Sequence, residues 1–244
     1  MQQLTIKDKT FSFPLIQGGM GVGVSLGNLA GAVASNGCMG VISAAHPGYR
    51  LPNFRTENLA SNCQALIDEV KKARDIALGK GLVGVNIMAA SKNYVEYVKA
   101  AVKAKVDAII SGAGLPLDLP SMVDDASILL APIVSSGKAA KLICKIWDKR
   151  HQVAPDFVVI EGSEAGGHLG FKKDDLVNDT CESLETIYHE VKSELKIFEE
   201  KYERKIPVFM AGGIYDGHDI ASMLKLGADG VQMGTRFIAT KECD

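Results

Sequence analysis

The chain has 244 residues, 47% of them hydrophobic and 23% charged, with 27 basic residues against 29 acidic ones. That length supports one domain with a sizeable core, so a single unit over residues 1–244 is expected. The near-balance of charge leaves no electrostatic footprint for nucleic acid and no polybasic membrane patch, and aromatic residues at 6% offer few base-stacking platforms.

The first ten residues carry no long apolar core and do not read as a signal peptide. Pro14–Gln17 is the first strand candidate, and the glycine-rich loop Gly18-Gly-Met-Gly-Val-Gly23 follows it. A helix pattern over Leu26–Ser35 leads to a second strand, Met39–Ser43. The next segment, Ala44–Thr56, lacks periodicity and is long for a strand-to-helix loop, so it is either a lid over a pocket or a surface excursion. Helix patterns over Glu57–Leu78 and Asn93–Lys103 flank a strand at Leu82–Ile87, and further strands fall at Ala108–Ser111 and Ile128–Val134. A helix over Ala139–Asp148 ends near His151, which reads as solvated beside Lys149 and Arg150.

The sixth strand, Phe157–Ile160, runs into Glu161-Gly-Ser-Glu-Ala-Gly-Gly-His-Leu-Gly170. After an ambiguous polar stretch, Phe171–Ser183, comes a long amphipathic pattern over Leu184–Arg204 with Ile187, Val191, Leu195 and Phe198 on one stripe. Strand candidates at Val208–Ala211 and Gly230–Met233 bracket a last helix pattern, His218–Leu226.

Most of these strands are apolar on both faces, which suits a parallel sheet covered by helices. Eight strands alternating with helices fit a (β/α)8 TIM barrel; a doubly wound sheet is the alternative. The glycines favour the barrel. They follow strands one, six, seven and eight, whereas a Rossmann site concentrates them in its first turn. The first loop holds no complete G-x-G-x-x-G.

Three groups of residues point to chemistry. The loop after strand six combines Gly162, Gly166, Gly167 and Gly170 with His168, and an imidazole titrates near neutral pH. It reads as an active-site loop, against the alternative of a glycine-rich surface turn. Gly212 and Gly213 follow strand seven, and Gly234 and Thr235 follow strand eight. Barrel enzymes often bind phosphate there on unpaired N–H groups; ordinary turn glycines are the alternative. Asn86 ends an apolar strand, where its amide could meet a flat heterocycle or cap a helix, and Glu161 could accept from a ribityl hydroxyl or a helix N-cap. The five histidines form no zinc motif, so no metal is expected. Five cysteines with no C-x-x-C spacing fit a reducing, cytoplasmic setting.

Six motifs in chain order resemble the nitronate monooxygenase family, formerly 2-nitropropane dioxygenases, and its kin, the flavin-dependent enoyl-acyl-carrier-protein reductase II. They are Pro14-Leu-Ile-Gln-Gly-Gly-Met20, Gly84-Val-Asn-Ile-Met88, Ser111-Gly-Ala-Gly114, Glu164-Ala-Gly-Gly-His-Leu-Gly170, Ile206–Ile214 and Gly227–Phe237. The resemblance implies FMN across the C-terminal mouth of the barrel. It places flavin contacts at Gly19, Met20, Gly21, Asn86, Glu161, Gly166 and Gly167, the phosphate at Gly212, Gly213, Gly234 and Thr235, and the catalytic role at His168.

The implied reaction is oxidation of alkyl nitronates with O2. The loop containing His46-Pro-Gly-Tyr49 favours that branch over the reductase branch. An NAD(P)H-dependent reductase of an enoyl thioester or quinone is the alternative, and a non-redox barrel binding a phosphorylated metabolite is a third reading. The partners expected are a small molecule and O2, with NAD(P)H and a homodimer left open. Family members continue past the Thr-Arg-Phe motif, so a final helix and small cap are expected to be missing at Asp244.

Overall fold

A computed structural model describes residues 2–243. Eight parallel strands close into a barrel: β3 (Leu15–Gln17), β4 (Met39–Ser43), β5 (Leu82–Met88), β6 (Ala108–Gly112), β7 (Leu129–Val134), β8 (Val158–Glu161), β9 (Val208–Ala211) and β10 (Gly230–Met233). Each strand pairs with its neighbour in sequence, and β10 returns to β3 through Val231 opposite Leu15 and Met233 opposite Gln17. The fold is the (β/α)8 barrel that the alternating pattern predicts.

The outer helices are α1 (Gly27–Ala34), α2 (Asn58–Ala77), α3 (Tyr94–Lys103), α4 (Gly137–His151), α5 (Lys173–Val177), α6 (Leu184–Lys201), α7 (Gly217–Leu226) and α8 (Thr235–Ile238). A 3-10 turn at Leu119–Met122 stands between β6 and β7. The strands are apolar on both faces because both faces are covered. Val41, Ile110, Val159 and Phe209 belong to the barrel interior, while Ile42, Val85, Ile109 and Ile160 pack under the helices.

The structure departs from expectation at several points along the chain. Helix α4 starts earlier, because the Ser136 hydroxyl accepts from the Ala139 N–H and caps it. Helix α6 stops at Lys201, just before Glu203 takes a left-handed φ of 51°. His151 is half-buried rather than solvated, and its Nε2 has no hydrogen-bond partner among the described residues. The polar stretch after β8 contains the short α5, which buries no residue.

A hairpin of β1 (Leu4–Ile6) and β2 (Lys9–Phe11) seals the N-terminal end of the barrel. Its Phe11 ring lies 5.4 Å from Phe209, which in turn lies 5.3 Å from Phe157. Lys7 reaches Asp156 at 2.9 Å, and Lys9 reaches Asp107 at 3.7 Å.

Those two aspartates and Asp229 repeat one device. The Asp107 N–H donates to the Val83 carbonyl, while its carboxylate accepts from the Val83 N–H at 2.8 Å. Asp156 binds Leu130 in the same way, and Asp229 binds Val208. Each clip fixes the entry of one strand beside its neighbour. The N-terminal end is therefore built for stability, and the C-terminal end carries the glycine loops. No described helix is long and apolar enough to cross a membrane.

Candidate active site

The candidate residues gather at the C-terminal ends of β3, β5, β8, β9 and β10, but the fold divides them into two regions. The first is a ring of backbone. Gly18 donates its N–H to the Met233 carbonyl at 2.8 Å, which sets the loop after β3 beside Gly234. A Cβ on Gly19 would meet the Asn86 Cβ at 2.6 Å, and one on Gly21 would meet the Ala45 Cβ at 2.6 Å. Bare backbone is thus required where this loop crosses β4 and β5. Met20 places its sulfur 3.4 Å from the Cβ position of Gly234. Thr235 is exposed at the start of α8.

Gly212 and Gly213 have φ of 101° and 70°, a backbone shape that side chains resist. A Cβ on Gly212 would also press on the N–H groups of Ala165 and Gly162, at 3.1 and 3.2 Å. The Glu164 carboxylate rests against Gly213. An anion bound on that face must displace this side chain, which is exposed and can turn into solvent at little cost.

Two residues that the motif reading does not single out hold the ring in shape. Gln17, fully buried, donates from Nε2 to Ser25 Oγ at 2.9 Å and to the Val41 carbonyl at 3.3 Å, and accepts from the Val41 N–H at 3.1 Å. Ser25 Oγ in turn accepts from the Met20 N–H at 2.9 Å. The signal was present: Gln17, like Asn86, is a polar residue ending an apolar strand. What it binds could be read only from the structure.

The second region is a cavity of about 460 Å³ at the ends of β5, β6, β7 and β8. Met88, Leu115, Ile133, Val134 and Leu169 form its apolar wall; Ser91, Ser135, Ser136, Glu161 and His168 supply polar groups. The glycine-rich loop reaches this cavity by crossing to β7, where the Cβ position of Gly170 lies 2.6 Å from Ser135 Oγ. Gly166 and Gly167 stand clear above the mouth, with nothing within 4 Å of their Cβ positions.

Of the predicted site residues, His168 and Glu161 line the cavity and the others do not. Glu161 joins the two regions: its strand pairs with β9 through Ala211, and its side chain lines the cavity. Its carboxyl makes no hydrogen bond among the described residues, and burial pushes it up to about 7. Near neutral pH it can therefore donate as an acid or accept as a carboxylate. No cluster of three potential metal ligands occurs among the described residues.

The segment after β4 is anchored. Asn62 of α2 accepts from the Gly48 N–H at 3.0 Å and approaches His46 Nδ1 at 3.5 Å. Tyr49 packs on Gly23, its hydroxyl 2.5 Å from that residue's Cβ position, so it supports the glycine ring and does not line the cavity. Ala44, Ala45 and His46 line a second pocket of about 260 Å³.

Residues 3–244 match the model of the nitronate monooxygenase family. The chain belongs to this family. A probable nitronate monooxygenase of Staphylococcus aureus is 28% identical over 270 residues, covering 96% of this chain and 66% of the relative. A (3aS,4S,5R,7aS)-5-hydroxy-7a-methyl-1-oxo-octahydro-1H-indene-4-carboxyl-CoA dehydrogenase of Rhodococcus jostii is 27% identical, covering 94% of this chain and 53% of the relative. Among solved structures, FabK from Thermotoga maritima superposes with a TM-score of 0.71 at 27% identity, over 96% of this chain and 61% of that one. The chain thus spans about half to two thirds of the length of these relatives.

Proposed function

We propose that this chain is an FMN-dependent oxidoreductase that oxidises alkyl nitronates with O2. The observation that carries the reading is the meeting, at one end of the barrel, of a bare-backbone ring and a cavity lined by His168 and Glu161, in a chain of the nitronate monooxygenase family. The residues fit the group. At Gly19 and Gly21 a Cβ would collide with Asn86 and Ala45, which keeps this loop low over the barrel, and left-handed glycines stand at 212 and 213.

Gly19, Met20, Gly21 and Asn86 would hold the flavin ring, with Gly166 and Gly167 closing over it. Gly212, Gly213, Gly234 and Thr235 would hold its phosphate. Bound there, FMN supplies the electron transfer. Neutral His168 takes the α-proton from a neutral nitroalkane; protonated, it holds the anionic nitro group of a nitronate. Glu161, half-buried between cradle and cavity with its carboxyl unpaired among the described residues, accepts from a ribityl hydroxyl. The apolar wall excludes water and suits a compact alkyl body.

Similarity to FabK at an identity close to that of the Staphylococcus relative supports a second reading, an NAD(P)H-dependent reductase of an enoyl thioester or quinone. One experiment separates them. Purified protein reconstituted with FMN is mixed anaerobically with NADH or NADPH, and its visible spectrum is followed. Persistence of the oxidised spectrum, with O2 uptake on adding ethylnitronate, is the expected result. Rapid bleaching by the nicotinamide without nitronate-dependent O2 uptake moves the assignment to the reductase.

A further inference from the structure

The bare-backbone ring offers a phosphate only neutral donors, its N–H groups and the Thr235 hydroxyl, and several carboxylates stand around it. Glu164 rests against Gly213, and Asp216 and Asp219 sit at the start of α7. The two aspartates are occupied. Asp216 accepts from the N–H groups of His218 and Asp219, and Asp219 accepts from those of Tyr215 and Asp216. The N–H groups of Asp219 and His218 hold the Asp216 carboxyl below its ordinary range, and Arg236, close by, adds a little. A phosphate placed among these groups calls for a positive partner.

Arg236 is in position to be that partner. It follows Thr235 beyond the end of β10, and its guanidinium stacks on the ring of Tyr215, which follows Gly213 and Ile214 beyond the end of β9. The guanidinium carbon lies 5.2 Å from the ring centroid, and Nη1 donates to the Tyr215 hydroxyl at 3.4 Å. Strands β9 and β10 are paired, so the stack bridges their ends beside Gly212, Gly213, Gly234 and Thr235. Stacking uses the face of a guanidinium and leaves its edge, where the N–H donors lie, open. That edge makes no ion pair among the described residues, and both side chains are exposed.

We infer that Arg236, held by the Tyr215 ring, is the charged partner of the flavin phosphate and makes the site select FMN over riboflavin. The guanidinium edge donates to the phosphate oxygens while Glu164 turns into solvent. The ring orients the guanidinium before binding, so less side-chain freedom is lost when the phosphate arrives. The inference rests on the phosphate standing at Gly212, Gly213, Gly234 and Thr235, and adds to that backbone cradle a cationic side chain.

A comparison of two flavins tests it without turnover. Flavin-free protein is titrated with FMN and with riboflavin, and quenching of flavin fluorescence gives both affinities. The wild type should prefer FMN. Arg236→Ala should weaken FMN roughly tenfold, the size of a charge-assisted hydrogen bond, and leave riboflavin within about twofold. Arg236→Lys keeps the charge but loses the flat stacking face, and should cost about threefold. Tyr215→Leu should cost FMN about threefold, and Tyr215→Phe should bind it as the wild type does. Added salt should weaken FMN more in the wild type than in Arg236→Ala.

Equal losses of FMN and riboflavin in Arg236→Ala would make the arginine structural and overturn the inference. An FMN preference unchanged in Arg236→Ala would overturn it too, as would a Tyr215→Leu protein that binds FMN like the wild type. A wild type that binds riboflavin as tightly as FMN goes further and removes the phosphate site itself.

Discussion

The two halves of the barrel mouth are built from different material. On the side of β9, β10, β3 and β4, the surface is backbone, held in unusual shapes by glycine and pinned by Gln17 and Ser25. On the side of β5 to β8, it is side chain: an apolar wall with a few hydroxyls, one carboxyl and one imidazole. Backbone N–H groups give a cofactor fixed donors that do not change with pH. Side chains give a substrate pocket its shape and its protons. On the proposed function, retention falls to one half and turnover to the other, and substitutions in each half should fail in different ways.

The largest effect is expected in the cavity half. His168→Ala should lower turnover of a neutral nitroalkane roughly 10²–10⁴-fold, the usual contribution of a general base, while keeping the flavin spectrum. Pre-formed nitronate should suffer less, since its proton is already gone. Steady-state O2 uptake with both substrates checks this, and equal losses would move His168 from proton transfer to binding.

In the ring half, Gly213→Asp should do the opposite. A side chain at a φ of 70° is strained, and its carboxylate would meet both Glu164 and the anion expected there. Flavin affinity should fall roughly a hundredfold, from strain and lost anion binding together. The ratio of flavin to protein absorbance after gel filtration measures it; full flavin content would show that the phosphate sits elsewhere.

A smaller effect should follow from removing the ring's support. Gln17→Leu removes the acceptor of the Val41 N–H and one donor to Ser25 Oγ, which is left with its bonds to the ring alone. The expected cost is about 2–3 kcal/mol, or a fall in melting temperature of roughly 5–10 °C, with flavin released before the protein unfolds. Flavin loss and unfolding that coincide in a thermal scan would argue that Gln17 serves the barrel as a whole and not the ring.

The smallest concerns Glu161 at the boundary. Burial raises its folded pKa to about 7, so the unfolded chain gives up that proton first as pH rises. This contribution to the stability of the flavin-free protein is fully present below the unfolded carboxyl pKa and is lost as pH rises through about 7. Glu161→Gln should therefore raise its melting temperature by a few degrees at pH 8 and leave it nearly unchanged at pH 4. A gain of equal size at both pH values would mean that burial does not set the proton on Glu161.

The barrel was legible because its strands are apolar on both faces and punctuated by glycine. Pro14–Gln17 and Gly230–Met233 were recognisable at both ends of the chain, and their pairing follows from closure. The β1–β2 hairpin was not, because three residues per strand carry too little alternation to register. The glycines of the mouth were visible in their motifs. Their separation from the cavity was not, since it depends on β8 lying beside β9 in a register that sets Glu161 opposite Ala211. Asn62 shows the same limit. Nothing in α2 marks it as the anchor of a loop that ends before the helix begins.

Closure of the barrel has a consequence for how the protein is made. The pocket half uses β5 to β8, which follow one another in the chain and each pair with a strand adjacent in sequence. The ring half joins the first barrel strand to the last, through the Gly18 bond to Met233 and the packing of Met20 on Gly234. Contacts so distant in sequence form late. If the ring holds the flavin as proposed, the substrate cavity is complete in sequence before the cradle is, and flavin binding has to wait for β10.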